Sequence, residues 1–163
     1  MSMNEEKLLR RLWELAQESL ATTAENVKLS NAAVEACPWS AELWYLRGLI
    51  LHKCEELPNV TREDYRRSYE RAIECDAGFV EAYVELGYTL DVYYDDFPGA
   101  ESAFRKAIAL GGGEGAYVGL ARVLAQQGRR RSALRLLYRV EARSGSALVQ
   151  SMIREIEDGQ WGE

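Results

Sequence analysis

Residues 43–51 read LWYLRGLIL, and the same pattern returns as AYVELGYTL at 82–90 and as AYVGLARVL at 116–124. In each stretch an aromatic residue is followed four positions later by Gly or Ala, and three positions after that by Leu. The small residues of the pattern, which are 39 and 34 positions apart, are Gly48, Gly87 and Ala121. Self-similarity with a period of roughly 20–50 residues is typical of repeat proteins. The sequence therefore predicts a chain of similar structural units.

A second pattern follows each copy of the first. It has a small or aromatic residue, then a bulky residue four positions later, and then a small or β-branched residue three positions after that. Its copies are Tyr65-x3-Tyr69-x2-Ala72, Ala100-x3-Phe104-x2-Ala107 and, more loosely, Ala133-x3-Leu137-x2-Val140. Apolar residues in both patterns recur every three or four positions, which indicates helices, and no stretch alternates as a half-buried strand does. The predicted helices span 5–21, 25–36, 40–56, 62–75, 79–94, 98–109, 114–127, 130–143 and 146–158.

Residues at the ends of these segments agree with a helical assignment. Thr61 and Asp64 have the spacing of a capping box, and Asp96 precedes Pro98 as an N-cap precedes a proline of the first turn. Gly48 and Gly87 remove side-chain bulk where two helices must approach closely. A single helix pair cannot bury both of its apolar sides, so the pairs are expected to stack.

Together the two patterns resemble the tetratricopeptide repeat, a helix–turn–helix unit of about 34 residues. The resemblance implies an all-α fold, a right-handed superhelical solenoid of antiparallel helix pairs with a C-terminal capping helix. We expect one domain over residues 1–163. Its parts are a degenerate repeat at 1–38, repeats at about 40–78, 79–112 and 113–145, and a capping helix at 146–158.

Proteins of this kind use the first helix of each pair to line a concave groove. Carried over by helical position, the resemblance implies that the partner-binding groove residues are Glu42, Tyr45, Leu49, His52, Lys53, Glu81, Val84, Tyr88, Asp91, Val92, Val118, Arg122 and Gln126. The aromatic and aliphatic members predict a partly apolar protein or peptide partner. They stand where the chaperone-tail-binding branch of the family would need a Lys, Asn and Arg clamp, which argues against that function. We expect Tyr45→Ala with Tyr88→Ala to weaken binding and leave thermal unfolding largely unchanged.

Composition and charge exclude several other functions. The net charge is −6, with 26 acids against 20 bases, which argues against nucleic acid as a partner. No stretch has the length of a membrane span and the N-terminus has no apolar signal core, so a cytoplasmic protein without membrane contact is expected. Three cysteines and one histidine are too few and too dispersed for a structural zinc site. We therefore expect no metal and no cofactor.

Three features have a catalytic or ligand-binding interpretation and a simpler one. His52 has no Ser or Cys partner in a nucleophile motif, so a groove or surface position is favoured over a general base. The acids at 91, 95 and 96 lack the rest of a calcium loop, so capping of the next helix is favoured over cation binding. The glycines at 111–113 follow a helix instead of a strand, so a turn is favoured over a dinucleotide fingerprint. The sequence thus predicts that the protein is not an enzyme.

The arginines near the C-terminus are the most unusual charge feature. They comprise Arg129–Arg131 with Arg122, Arg135, Arg139 and Arg143. A solvated helix face is the simpler interpretation. The sharper one is a contact for an acidic partner, or for the acidic 80–121 region of another copy.

The predicted function is a non-catalytic adapter or scaffold that binds a peptide or helical segment of another protein. One alternative is a self-assembling structural homo-oligomer, which sedimentation at low and high salt would reveal. Another is a small chaperone for a secreted or aggregation-prone partner, which would co-purify with that partner.

Overall fold

The computed structural model describes residues 3–17 and 23–160, and within them every regular element is a helix. The helices are α1 (Met3–Gln17), α2 (Ala24–Ala36), α3 (Ala41–Lys53), α4 (Arg62–Cys75), α5 (Val80–Tyr94), α6 (Phe97–Ala109), α7 (Glu114–Gln126), α8 (Arg130–Ser144) and α9 (Ala147–Glu157). The all-α prediction is confirmed. The predicted extension of the first helix over 18–21 lies outside the described residues.

The chain forms two compact units, Met1–Ala82 and Tyr83–Glu163, and the boundary between them falls within α5. The single domain over 1–163 and the right-handed superhelix stay predictions. None of the helices in the described ranges is long and apolar enough to cross a membrane.

In the first unit, α3 packs against α1, α2 and α4. Its apolar residues on several sides, including Leu43, Leu46 and Ile50, are buried because neighbours cover it on more than one side. At Gly48 an added Cβ would lie 2.4 Å from the fully buried ring of Tyr69 on α4. The glycine of the repeat pattern therefore makes room for the aromatic residue of the following helix.

The second unit repeats this arrangement around Phe104 of α6, which is fully buried. A Cβ at Gly87 of α5 would lie 2.8 Å from the Phe104 ring, and a Cβ at Gly119 of α7 would lie 2.3 Å from it. Two glycines from different helices thus flank one ring. The first of these close approaches follows the repeat pattern, whereas the second, at Gly119, is a feature that only the structure reveals.

Helix ends follow the sequence signals. The Thr61 amide donates to Asp64 Oδ2 at 2.9 Å, which completes the predicted capping box of α4. The Gly99 amide donates to Asp96 Oδ1 at 3.0 Å, so Asp96 caps α6. At the end of α8, Gly145 adopts a φ of 59° and its amide donates to the Glu141 carbonyl. This left-handed conformation suits glycine, which has no Cβ to clash.

Candidate functional site

The predicted groove residues of the first unit lie on α3 and at the start of α5. Glu42, Lys53 and Glu81 are exposed, whereas Tyr45, Leu49 and His52 are half-buried. The Tyr45 ring lies 5.3 Å from the ring of Phe79, measured between centroids, and 6.3 Å from that of Tyr69. This face of α3 therefore offers an apolar strip that is partly open to solvent, with charged side chains at both ends.

His52 is part of this strip. Its imidazole stacks on the ring of Tyr65, with 4.9 Å between centroids and 27° between planes. Stacking on a fully buried tyrosine gives the half-buried imidazole a packing role. The Nζ of the neighbouring Lys53 donates to the Ala16 carbonyl, which joins the end of α3 to α1.

In the second unit, three predicted groove residues contact one another. The Nε of Arg122 on α7 donates to Asp91 Oδ2 of α5 at 2.7 Å, and its Nη2 donates to the same oxygen. The guanidinium carbon of Arg122 lies 5.3 Å from the ring centroid of Tyr88. The Tyr88 hydroxyl donates to the Gly115 carbonyl at 2.8 Å. These contacts fix α5 to α7.

Two predictions need correction here. The sequence predicted Asp91 and Val118 on the groove surface, but the structure places both in the interior, at 3% and 5% exposure. Asp91 is buried because it pairs with Arg122 of α7. Val118 is buried because it belongs to the apolar cluster around Phe104. The remaining positions of this unit are more open: Val84, Tyr88, Arg122 and Gln126 are half-buried and Val92 is exposed. Their role in binding stays a prediction.

The contacts of Tyr88 also change an expected result. Its ring meets that of Phe104 edge-on at 4.9 Å, and its hydroxyl is hydrogen-bonded. Replacing Tyr88 with alanine would remove both contacts and leave space in the core. The double substitution of Tyr45 and Tyr88 should therefore lower the melting temperature as well as any binding. Half-exposed Leu49 and Val84 are better positions for testing binding alone.

Burial changes the proton affinity of two side chains on α5. It raises the pKa of Glu85, a half-buried carboxyl that the sequence analysis did not single out. Burial also raises the pKa of Tyr88, with the Arg122 charge acting in the opposite direction and those of Glu85 and Asp91 adding to the rise. Glu85 stands three positions before Tyr88, so helical spacing could have placed it on this face.

We expect Glu85→Gln to raise the melting temperature at pH 7.5 by about 2 °C. Because the folded state holds the Glu85 proton more tightly than the unfolded state does, stability falls as the pH rises from the ordinary Glu pKa to the raised one. The amide of Gln does not ionise, so the variant keeps its stability as the pH rises. Thermal unfolding between pH 4 and pH 8 measures the difference, and the melting temperatures of variant and parent should agree near pH 4. Glu81→Gln, on the same helix and exposed, is the control and should change nothing. An equal effect of both substitutions would contradict the burial argument.

A second half-buried cation, Arg47, lies on the opposite side of α3 from the apolar strip. Its Nε donates to Asn31 Oδ1 at 2.8 Å, and its Nη1 donates to the Asp64 carbonyl and the Ser68 hydroxyl. Burial lowers the pKa of Arg47, and the Asp64 charge partly opposes this. All these partners belong to the protein itself, so Arg47 joins α2, α3 and α4 and has a structural role.

Within residues 3–17 and 23–160, no group of three or more His, Cys, Asp or Glu side chains could hold a metal ion. Cys37 and Cys54 are buried and Cys75 is half-buried, all as free thiols. Burial raises the pKa of Cys54, and a backbone hydrogen bond at Thr23 opposes this only in part. The raised pKa disfavours the reactive thiolate.

The chain is similar to known proteins in its fold, and this similarity is found among solved structures. No family model matches the chain, and no curated protein matches it by sequence. Among solved structures, one of MamA shares 18% identity, with 98% of this chain and 79% of that chain covered and a TM-score of 0.67. A second MamA structure shares 18% identity, with 96% and 86% covered and a TM-score of 0.62.

A mutant of the O-GlcNAc transferase of Thermobaculum terrenum is also similar. It shares 19% identity with a TM-score of 0.70, and the match covers 88% of this chain but only 27% of the transferase chain. The fold is a tetratricopeptide-like helical repeat. At these identities the likeness concerns the fold and not the activity.

Proposed function

We propose that the chain is a cytoplasmic, non-catalytic protein–protein interaction module that acts as an adapter or scaffold. It binds a peptide or helical segment of a partner through the inner faces of its first helices, and it uses no metal and no cofactor. The observation that carries the proposal is the strip on α3, where half-buried Tyr45 and Leu49 lie between exposed Glu42 and Lys53.

Such a strip has the composition of a small interface. A few residues, often aromatic ones such as Tyr, supply most of the binding energy at protein interfaces, while apolar neighbours exclude water and the rim is polar. The half-buried Val84 gives α5 of the second unit a similar apolar position. Tyr45 is already fixed by Phe79 and Tyr69, so little side-chain freedom is lost when a partner binds.

Site-specific photocrosslinking in the native cell tests this function. A photoreactive amino acid is placed singly at Leu49 or Val84, and at Glu74 or Ser102 as controls on second helices, both exposed. We expect a discrete crosslinked polypeptide at Leu49 and Val84, at least about fivefold more abundant than at the controls.

Two results would contradict the proposal. Equal crosslinking at all four positions would mean that the first helices have no special role. Crosslinks to a second copy of the chain alone, at twice its mass, would support the self-assembling homo-oligomer instead.

A further inference from the structure

The exposed side of α8 carries a row of arginines that form no ion pair in the part of the chain that the structure describes. The helix has the sequence RRSALRLLYRVEARS, with five arginines and a single glutamate. Four of the arginines, each four residues after the last and all exposed, are Arg131, Arg135, Arg139 and Arg143. None of these four forms an ion pair or a side-chain hydrogen bond within residues 3–17 and 23–160.

Other helices of the same chain differ. On α1, Arg11 pairs with Glu14 at 3.3 Å, and on α4, Arg67 pairs with Glu63 at 3.0 Å and Arg71 with Glu74. Each of these arginines has an acid three or four positions away, as on an ordinary solvated helix face. The α8 arginines have no acid three or four positions away, so no residue of their own helix offsets the repulsion between them. Glu114 of α7 lines a pocket together with Arg139 and Arg143, but it forms no ion pair with either in the described ranges.

The row borders a cleft of about 270 Å³ between α6, α7 and α8. Leucines form its apolar part and arginines its rim; the lining residues are Arg105, Leu120, Leu124, Arg129, Ser132, Arg135, Leu136 and Arg139. On the other side of the row, an open surface of α8 includes Leu134, Ala142 and Tyr138, which is 46% exposed. Cationic and apolar groups therefore alternate across this face.

Two of the rim arginines share one carboxylate of the chain, which leaves this group of three with a single net positive charge. Glu101 of α6 accepts from Arg105 Nη2 at 2.8 Å and from Arg129 Nη1 at 2.8 Å. Burial acts to raise the pKa of Glu101, but these hydrogen bonds outweigh it and lower the pKa below its ordinary value. Arg135 and Arg139 line the same cleft and form no ion pair in the described part of the chain, so they are the cations most open to a ligand there.

We propose that this face of α8 binds an acidic amphipathic helix of a partner protein. Residues four apart on a helix are separated by about 6 Å along its axis, so carboxylates four apart on the partner match the arginine row. Guanidinium groups bind carboxylates with two parallel hydrogen bonds, and aliphatic residues of the partner would cover Leu134 and Tyr138. The site lies on a second helix and is independent of the inner faces proposed above.

A peptide fits this face better than nucleic acid does. The molecule as a whole carries a charge of −6, which repels a DNA duplex, with about one negative charge per 1.7 Å, more strongly than a short peptide with a few carboxylates. Glu101 stands beside the cleft and Glu141 on the same helix, and phosphates gain nothing from the apolar residues between the arginines. A short acidic helix places carboxylates on the arginines and aliphatic groups between them.

A designed peptide tests the proposal. The probe is a 15-residue helical peptide with Glu at every fourth position and Leu beside each Glu on one face, and binding is measured by fluorescence anisotropy at 50 mM NaCl. We expect a dissociation constant on the order of 100 µM or tighter, weakening as salt screens the charges. Arg135→Glu with Arg139→Glu should weaken binding about tenfold or more. Tyr138→Ala should weaken it about threefold.

Matched controls make the test specific. Lys28→Glu with Lys106→Glu changes the net charge equally at exposed positions outside the row and should leave the affinity within twofold. If the variant with Arg135→Glu and Arg139→Glu does not fold, Arg135→Gln with Arg139→Gln replaces it in the test. We then expect the affinity for the peptide to fall about fivefold.

Four results of the binding measurements would overturn the proposal. They are no binding of the acidic peptide at 1 mM, an unchanged affinity of the arginine variant, tighter binding of a 12-base-pair DNA duplex, and tighter binding of vesicles with anionic lipid. Self-association that the arginine variant abolishes would equally reassign the face to a second copy of this chain.

Discussion

Replacing Arg122 with methionine should lower the free energy of unfolding by about 3–5 kcal/mol. The side chain of its partner Asp91 is 1% exposed, and Arg122 supplies two donors to Asp91 Oδ2. The other oxygen, Oδ1, is buried and accepts no hydrogen bond from any group in the described ranges. Without Arg122 the carboxylate would keep its burial and lose its counter-charge, which is far more destabilising than losing an exposed pair.

Urea unfolding followed by circular dichroism measures this effect. Arg67→Met is the matched control: its side chain is 72% exposed beside Glu63, so a loss of at most about 1 kcal/mol is expected. Asp91→Leu combined with Arg122→Met should recover most of the stability, because a buried ion pair replaced by apolar groups is often neutral. A loss below about 1 kcal/mol for Arg122→Met alone would show that Asp91 finds another partner.

Gly119→Ala should lower the free energy of unfolding by about 3 kcal/mol, the upper part of the range for overpacked cores. The new Cβ would lie 2.3 Å from two ring carbons of Phe104. The ring has no room to move away, because it is fully buried, the Gly87 backbone stands close to it, and the Tyr88 ring meets it edge-on. The helices must therefore separate or the ring must leave its preferred rotamer.

Gly115→Ala provides the control within the same helix. A Cβ at Gly115 meets no atom within 4 Å, so stability should stay the same or rise by up to about 1 kcal/mol through helix propensity. Phe104→Leu should partly rescue Gly119→Ala, so that the double variant loses less than the sum of the single ones. If Gly119→Ala and Gly115→Ala unfold at the same urea concentration, the close approach of α7 to Phe104 is wrong.

Both predictions concern the same part of the second unit and bear on its function. The Asp91–Arg122 pair and the Phe104 ring fix α5 against α6 and α7, so the half-exposed Val84 and Tyr88 are held in place before any partner arrives. Fixed side chains lose little entropy on binding. Under the proposed function, substitution of Tyr88 would change both stability and recognition, whereas substitution of Val84 or Leu49 would test recognition alone.

The sequence by itself determined the helices, their order and most of their ends. Apolar spacing of three and four residues, the Thr61–Asp64 box and the Asp96 cap are local signals, and each acts through atoms only a few residues away. The repeat pattern also predicted the close approaches at Gly48 and Gly87, because the same spacing recurs in successive helix pairs.

Only the tertiary structure decided which residues of a predicted face are open. Helical spacing gives the direction of a side chain, but not what the neighbouring helix places against it. Asp91 is buried because an arginine 31 positions away pairs with it, and position 119 has no room for a Cβ because Phe104 of another helix lies against it. The α8 arginines stand out for the same reason. Charge along the sequence is visible from the start, whereas the absence of partners within the described residues depends on distances between side chains far apart in the chain.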